Sequence, residues 1–534
     1  MPSPTTEESS TTTAVARSKR SFRRVWIIAA SIIIAIPMLY GVIFSIYWPF
    51  TKQDVINALQ ERSLRPVTIG QFHTTYFPPG CVAEQVAFLH IKNKNRPPLI
   101  TIGRLAVSTT YPMLLTFQHR LAVVRVENLH VTVPAQEPAG DPSPVMPLTA
   151  AGNAKGSMPI NNLYADGALL DFYRKSTPKP LRITVNKLNL HHINANSALT
   201  YEVQLYNSEP PGIIESEGSF GPWNPKNPGG VPVHGSFGYN DANLFFFKEI
   251  SGTLFAGGKF DGNLARINVA GAAQVPSFTL TGSSHKRPLA VTYQVGVNAI
   301  NGDLDLTKLS ADFDQTDLLV AGSVSGVKGH PGKNLSLDMS SRHARIENLM
   351  GLFISGNQPP MTGDVVFRLH VEVPANSDSF LRAMTANGGF GIVSGKFADK
   401  QTEQGLTKLS EGTKAGKSAQ TENPQTLLSD LKGNITIAGG LTHLSRVEFQ
   451  IPEAHAWLDG TYSLLDYQTE IHGVLITKGN ISVTQTGLKS VLLKTLTPFF
   501  KHKNHAEIVP FKIAGPYGRA NISLDLDRKR DQNK

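Results

Sequence analysis

Residues 121–134, LAVVRVENLHVTVP, decide the fold. Val124 and Val126 alternate with Arg125 and Glu127. The phase slips at Asn128, after which Leu129, Val131 and Val133 alternate with His130 and Thr132. Alternation at period two gives a strand with one apolar and one polar face, and the slip predicts a bulge or tight bend between two strand pieces. The same pattern recurs in LRITVNKLNLHHI (181–193), where Ile183 and Val185 are followed out of phase by Leu188 and Leu190. ALTYEVQLYN (198–207) alternates through Leu199, Tyr201, Val203 and Leu205. The cleanest case is GDVVFRLHVEVP (363–374), with Val365, Phe367, Leu369, Val371 and Val373 on one side and Val366, Arg368, His370 and Glu372 on the other.

Further strands are predicted at 67–70, 86–91, 100–108, 264–271, 278–281, 291–297, 304–306, 318–324 and 335–339. More follow at 435–439, 446–451, 455–464, 467–476, 509–515 and 521–526, separated by short Gly, Asp and Asn turns as in meanders. Helices are few. Thr51 to Asp54 resembles a capping box with Asp in place of Glu, and Val55, Ile56 and Leu59 form a stripe behind it, which predicts a helix over 52–62. YPMLLTF (111–117) reads as one or two turns with Pro112 in the first. In GLKSVLLKTLTPFF, Leu488, Val491, Leu492, Leu496 and Phe499 share a helical face, and Pro498 ends the regular helix near Leu496 or Thr497.

Composition narrows the class. The 534 residues are 40% hydrophobic and 17% charged, enough for a large core. Cys81 is the single cysteine, which excludes an internal disulfide framework and a multi-cysteine zinc site. The net charge of +10 is concentrated in Arg17, Lys19, Arg20, Arg23 and Arg24 near the start and Arg528, Lys529, Arg530 and Lys534 at the end. Nucleic-acid binding would need basic residues interleaved with aromatics over a folded surface, and that pattern is missing. Residues 25–48, VWIIAASIIIAIPMLYGVIFSIYW, carry no Asp, Glu, Lys or Arg and are long enough to span a hydrocarbon core of about 30 Å. The run ends in YWPFTKQD, without the small residues of a cleavage site, so it is expected to stay as an anchor. The basic cluster before it places residues 1–24 in the cytoplasm and the rest outside.

Catalytic signatures are not found. There is no HExxH, G-x-S-x-G, Walker A loop or G-x-G-x-x-G after a strand. His191 and His192 are adjacent on a predicted strand and point to opposite faces, poor geometry for one metal. Asp303, Asp305, Asp312, Asp314 and Asp317 form an acidic patch near turns, with Leu304 and Leu306 facing away. Edge and turn solvation accounts for it, and a pair of hydrolytic carboxylates is the competing reading. No enzyme activity and no cofactor or metal is expected.

Several segments in order resemble the AsmA family of envelope proteins. RPVTIGQFHTTYFPPGCVAEQVAFLH (65–90), PPLITIGRLAVSTTYPMLL (97–115) and LAVVRVENLHVTVP resemble its N-terminal module. LKGNITIAGGLTHLSRVEFQIPEAHAWLDGTYSLLDYQTEIHGVLI (431–476), the helix at 488–497 and IVPFKIAGPYGRANISLDL (508–526) resemble its C-terminal region. The middle, about 208–400, is less like it. The resemblance implies a relation to bridge-like lipid transfer proteins, whose long sheet curls into a gutter lined with apolar side chains.

The expected organisation is therefore a basic tail (1–24), a transmembrane helix (25–48), an N-terminal AsmA-like module (49–134), a linker (135–159), a central β-rich groove region (160–398), a polar loop (399–426), a C-terminal AsmA-like region (427–527) and a basic tail (528–534). The fold class is mainly β with a few short helices: an N-terminal transmembrane helix followed by an extended, twisted, groove-forming sheet. Some 20–25 strands at about 4.8 Å spacing give on the order of 100 Å. Val365, Phe367, Leu369, Val371 and Val373 are the expected groove lining. Leu488, Val491, Leu492, Leu496 and Phe499 are expected to cap one end, or else to lie on a membrane surface.

The expected location is the bacterial inner membrane, with the body in the periplasm. The expected partners are the membrane, phospholipid acyl chains and an envelope protein. Function is expected to be phospholipid binding or conduction. The alternative is a non-transporting factor that assists outer-membrane protein assembly or envelope biogenesis through protein contacts, and the third reading is a β-solenoid hydrolase.

Overall fold

The computed structural model describes most of the chain between Trp48 and Asp525. Residues 1–37, 39–47, 92–96, 116–119, 135–158, 353–360, 398–426, 478–506 and 526–534, with some shorter gaps, lie outside it. The expected membrane span (apart from Met38 and Trp48), the linker, the polar loop and the helix bearing Leu488, Val491, Leu492, Leu496 and Phe499 thus lie outside the described residues. Among the described residues no helix is long and apolar enough to cross a membrane.

Among the described residues, twenty-four strands, from Val67–Tyr76 to Asn521–Leu524, form one large, open, twisted sheet. Almost every strand pairs antiparallel with the next one along the chain. One departure is Leu121–Val133 beside Ile160–Arg174, a parallel pair with Leu121 opposite Ile160 and Val133 opposite Phe172. The other is the two-residue Ile250–Ser251, which lies against Leu280 and Thr279 and leaves Pro232–Asn243 paired directly with Thr253–Asn263.

The phase slip in the opening stretch is a bulge. Asn128 has a φ of 53°, and pairing passes from Arg104–Glu127 to Ile102–Leu129 without it. The extra residue keeps Val124, Val126, Leu129 and Val131 on one side, where strict alternation would have turned half of them outward. Gln85, at φ 55°, occupies the equivalent place two strands earlier, and Gly103 lies opposite both. Only glycine fits there: a Cβ on residue 103 would stand 2.9 Å from the Cβ of Asn128. A crease of left-handed residues facing glycines therefore crosses the first strands.

The helices among the described residues cover little of the sheet. In α1 (Lys52–Ser63) the Asp54 amide donates to Thr51 Oγ1 over 3.2 Å, as the capping pattern predicts. Its Val55, Ile56 and Leu59 pack on a buried cluster that includes Val67, Val86, Phe88, Leu105 and Leu163. α2 (Tyr111–Leu115) closes a hairpin. α3 (Ile346–Gly351) lays Ile346 and Leu349 on a second cluster built around Val365, Val447, Phe449, Leu475 and Phe511. α4 (Phe380–Ala383) is a single turn. Each fully buried apolar side chain in these clusters contributes about 2 kcal/mol, so both ends of the sheet carry compact cores.

Candidate functional site: an apolar lane across the sheet

Following Cα partners from strand to strand picks out one row of side chains that crosses nearly the whole sheet. It starts at Phe72 and runs through Ala83, Leu105, Val126, Ala165, Leu188 and Val203. It continues through Ser216, Phe237, Gly258, Gly271, Tyr293, Leu309 and Val320. It then passes Met339, Leu369, Gly388, Ile435, Leu444, Gly460 and Ile471 to reach Ile513. About twenty steps of about 4.8 Å make this lane on the order of 100 Å long.

No residue of the lane is charged. Its two hydroxyls are spent on the protein: Ser216 Oγ donates to the Ser236 carbonyl over 2.9 Å, and Tyr293 Oη to the Gly257 carbonyl over 3.1 Å. Burial pushes the phenols of Tyr293 and of the neighbouring Tyr201 above the ordinary tyrosine range, so both stay neutral.

Covering is uneven. Ala83, Leu105, Val126 and Ala165 are buried, but every lane residue from Leu188 to Ile513 is half-covered, neither buried nor exposed. The next row on the same face is of the same kind, with Phe260, Val269, Val295, Leu306 and Leu337 in register. Phe237 and Phe260 bring their rings to 6.5 Å.

The expected lining residues fall on this face. Leu369 lies in the lane, Phe367 is half-covered beside it, and Val365, Val371 and Val373 are buried. Val365 belongs to the second core, so it is packed rather than open. Val366 is 45% exposed on the opposite side. Sequence patterning passed over Phe237, Gly258 and Phe260, although Phe237 and Phe260 each stand two residues from an inward glycine, and it reached Gly271 only as the last residue of the strand predicted at 264–271.

Glycines register how the backbone is arranged. A Cβ built on Gly218, Gly235, Gly258, Gly271, Gly322, Gly388 or Gly460, all on the apolar face, would lie 2.0–2.6 Å from a carbonyl oxygen of the next strand. On the polar face, at Gly238, Gly257, Gly296, Gly389 and Gly391, the nearest atom is 3.4–3.8 Å away. A Cβ on Gly80, on the polar side of its strand, would be as close to a backbone oxygen (2.0 Å from the Val107 carbonyl), so the crowding prevails on the apolar side without being confined to it.

The polar face is held by cross-strand charges. Arg104 pairs with Glu127 at 3.1 Å, Lys432 with Glu448 at 2.7 Å and Lys512 with Glu470 at 2.7 Å. Asp171, only 3% exposed, is gripped by Arg182 through Nε (2.8 Å) and Nη2 (3.0 Å) and lies 3.1 Å from His130 Nε2. The Arg182 hydrogen bonds hold the Asp171 carboxyl below the usual carboxylate range.

The other polar candidates serve the frame. His191 Nδ1 lies 2.7 Å from Asn162 Oδ1, and His192 takes a left-handed φ of 59°. In the acidic patch, Asp303 accepts from the Gly326 amide (2.9 Å) and pairs with Lys333 (2.5 Å), Asp314 pairs with Arg287, and Asp317 accepts from the His343 amide (3.1 Å). Among the described residues no three His, Cys, Asp or Glu side chains are grouped to hold a metal. Cys81 is buried, and its thiol is pushed up to about 11. Comparison with protein-family models, with curated proteins and with solved structures found no match to this chain.

Proposed function

We propose that this is an envelope protein anchored in a bacterial inner membrane, whose periplasmic sheet binds phospholipid acyl chains along its apolar face and conducts them. This is the role that the resemblance to the AsmA family implies. The observation that carries the reading is the lane: an uncharged row, half-covered strand after strand, on the order of 100 Å long. An apolar sheet face must be covered by another layer, by helices or by a ligand. Among the described residues, α1 and α3 lay their apolar side chains on the two clusters. The crowding at inward glycines supports a sheet curled toward its apolar side, and such a trough would shield acyl chains while leaving headgroups in water. A cytoplasmic N-terminus and a span at 25–48 would tether one end of this trough to its lipid source.

A substitution in the lane tests the proposal. In the full chain purified from bacterial membranes in detergent, Leu369→Glu should keep strand-type circular dichroism and a cooperative melt, because the ladder hydrogen bonds do not involve that side chain. It should lose the phospholipid that native mass spectrometry detects on the unaltered protein. A carboxylate without a partner in a closed core would instead cost several kcal/mol and unfold the region. Collapse of the fold, or retention of lipid, would overturn the proposal. The protein-contact reading draws on a separate feature. Phe245, Phe246 and Phe247 stand 67%, 43% and 46% exposed on one short turn, as aromatic anchors for a partner would. A stoichiometric protein partner lost on Phe245→Ser, with no lipid bound, would favour that reading.

A further inference from the structure

The apolar run at 25–48 ends at Trp48, and the folded body begins against that residue. Phe50, two residues on, is buried, and its carbonyl accepts from Thr74 Oγ1 over 3.5 Å. The Trp48 ring stands 5.0 Å from the Tyr76 ring and 5.9 Å from that of Phe50. Tyr76 ends the first strand, and Phe77 stands at the tip of the turn that follows. They are 58% and 88% exposed, and among the described residues Phe77 is the most exposed large apolar side chain.

A second tip stands beside the first. α2 begins with Tyr111, whose ring lies 5.7 Å from that of Phe77 and whose Oη donates to the Tyr76 carbonyl over 2.7 Å. YFPPG (76–80) and TYPMLL (110–115) carry no Asp, Glu, Lys, Arg or His. Counting antiparallel steps along the sheet puts three further turns with an exposed apolar side chain on this same rim. Each of those has a charged residue close by: Asp303 near Ile300, Asp466 beside Leu465 and Arg382 near Phe380.

An exposed aromatic patch calls for a covering surface, and aromatic rings with a polar atom settle at the boundary between bilayer and water. Chain continuity says which surface is in reach. With 25–48 as a membrane span, Trp48 marks its outer boundary, and the ring of Tyr76 lies against it. We propose that Tyr76, Phe77 and Tyr111 form an aromatic foot that enters the headgroup layer of the bilayer holding the anchor, with Phe77 reaching the acyl chains. The foot rests on the anchor reading and adds to it a second contact, which fixes how the sheet stands on the membrane. Phe72, where the lane starts, is four residues behind Tyr76 on the same strand, within about 14 Å of it. The foot thus holds the start of the lane beside the lipid source.

The test uses the full chain reconstituted in vesicles of phosphatidylethanolamine and phosphatidylglycerol. Phe77→p-benzoylphenylalanine keeps an aromatic side chain at an exposed site, and circular dichroism confirms the fold. Under ultraviolet light its ketone carbon bonds to a carbon whose hydrogen it has taken, so mass spectrometry should find a phospholipid adduct at position 77. Phe380→p-benzoylphenylalanine, far along the same rim, should give none. An alkaline wash followed by flotation reports on the anchor separately. If the chain leaves the vesicles, the anchor reading and the foot fall together. If the chain stays and position 77 couples to no lipid, or to another protein, the foot alone is overturned. Equal lipid adducts at 77 and 380 also overturn it, because lipid would then meet the rim without regard to the anchor.

Discussion

Asp171 shows how a single residue on the polar face is made safe to bury. Three strands contribute: Asp171 itself, Arg182 opposite it in register, and His130 from the parallel neighbour. The two Arg182 bonds give the carboxylate a direct counter-charge, which is why its protonation is pushed to lower pH. A carboxyl whose folded value lies below its unfolded value stabilises the fold fully above the unfolded value, about pH 4, and loses that contribution as pH falls through the folded value. Asp171→Asn should therefore cost about 2 kcal/mol at pH 7. The figure is kept low because the Arg182 side chain is 54% exposed and solvent screens the pair. Urea melts at pH 7 should separate the variant from the parent, and the two curves should converge as the pH falls through the folded value of Asp171. A gap that persists in acid would mean that shape, not charge, holds this site.

At the scale of a strand, glycine has two opposite roles in neighbouring positions. A methyl on Gly388 would meet the Arg368 carbonyl at 2.0 Å, whereas on Gly389 it would find nothing nearer than Asn434 Oδ1 at 3.6 Å. Backbone cannot move aside as a side chain can, so Gly388→Ala should destabilise by roughly 1–3 kcal/mol. Gly389→Ala should be neutral, or stabilise by up to about 1 kcal/mol through the unfolded chain. Thermal melts of the two variants check the sign, and equal effects would remove the argument for crowding on the apolar side.

The same glycines explain what the sequence revealed and what it hid. Strands whose inward positions carry Val, Leu, Ile or Phe, as in 121–134, 181–193 and 363–374, are legible because hydropathy alternates. Pro211–Phe220, Pro232–Asn243, Thr253–Asn263 and Thr385–Phe397 were not, because Gly218, Gly235, Gly258 and Gly388 fill inward positions with no hydropathy of their own. The parallel pairing of Leu121–Val133 with Ile160–Arg174 was equally hidden, since the order of strands leaves no local mark. Of the site, Leu369 and its neighbours could be read from one strand alone. The lane is a property of register between strands, and single-strand patterning does not contain it.

Across the whole molecule, binding and conduction make different demands on the lane. Binding needs only a local apolar stretch, whereas conduction needs every stretch in series. Leu309 stands near the middle, half-covered between Tyr293 and Val320. Lys308 precedes it on the same strand, exposed on the polar side. A carboxylate placed among acyl chains raises the energy of passage by about 2.5 kcal/mol or more, which slows a step by roughly two orders of magnitude. Leu309→Glu should therefore leave the melt cooperative and keep lipid bound to the two flanking stretches, but cut transfer of labelled phospholipid between donor and acceptor vesicles by roughly a hundredfold. Lys308→Glu, a larger change of charge one residue away, should leave transfer unaltered because it faces water. If both variants slow transfer alike, the effect is on the sheet and not on the lane. If Leu309→Glu transfers normally, lipid does not pass along this face, and the half-covered row is a binding surface that leads nowhere.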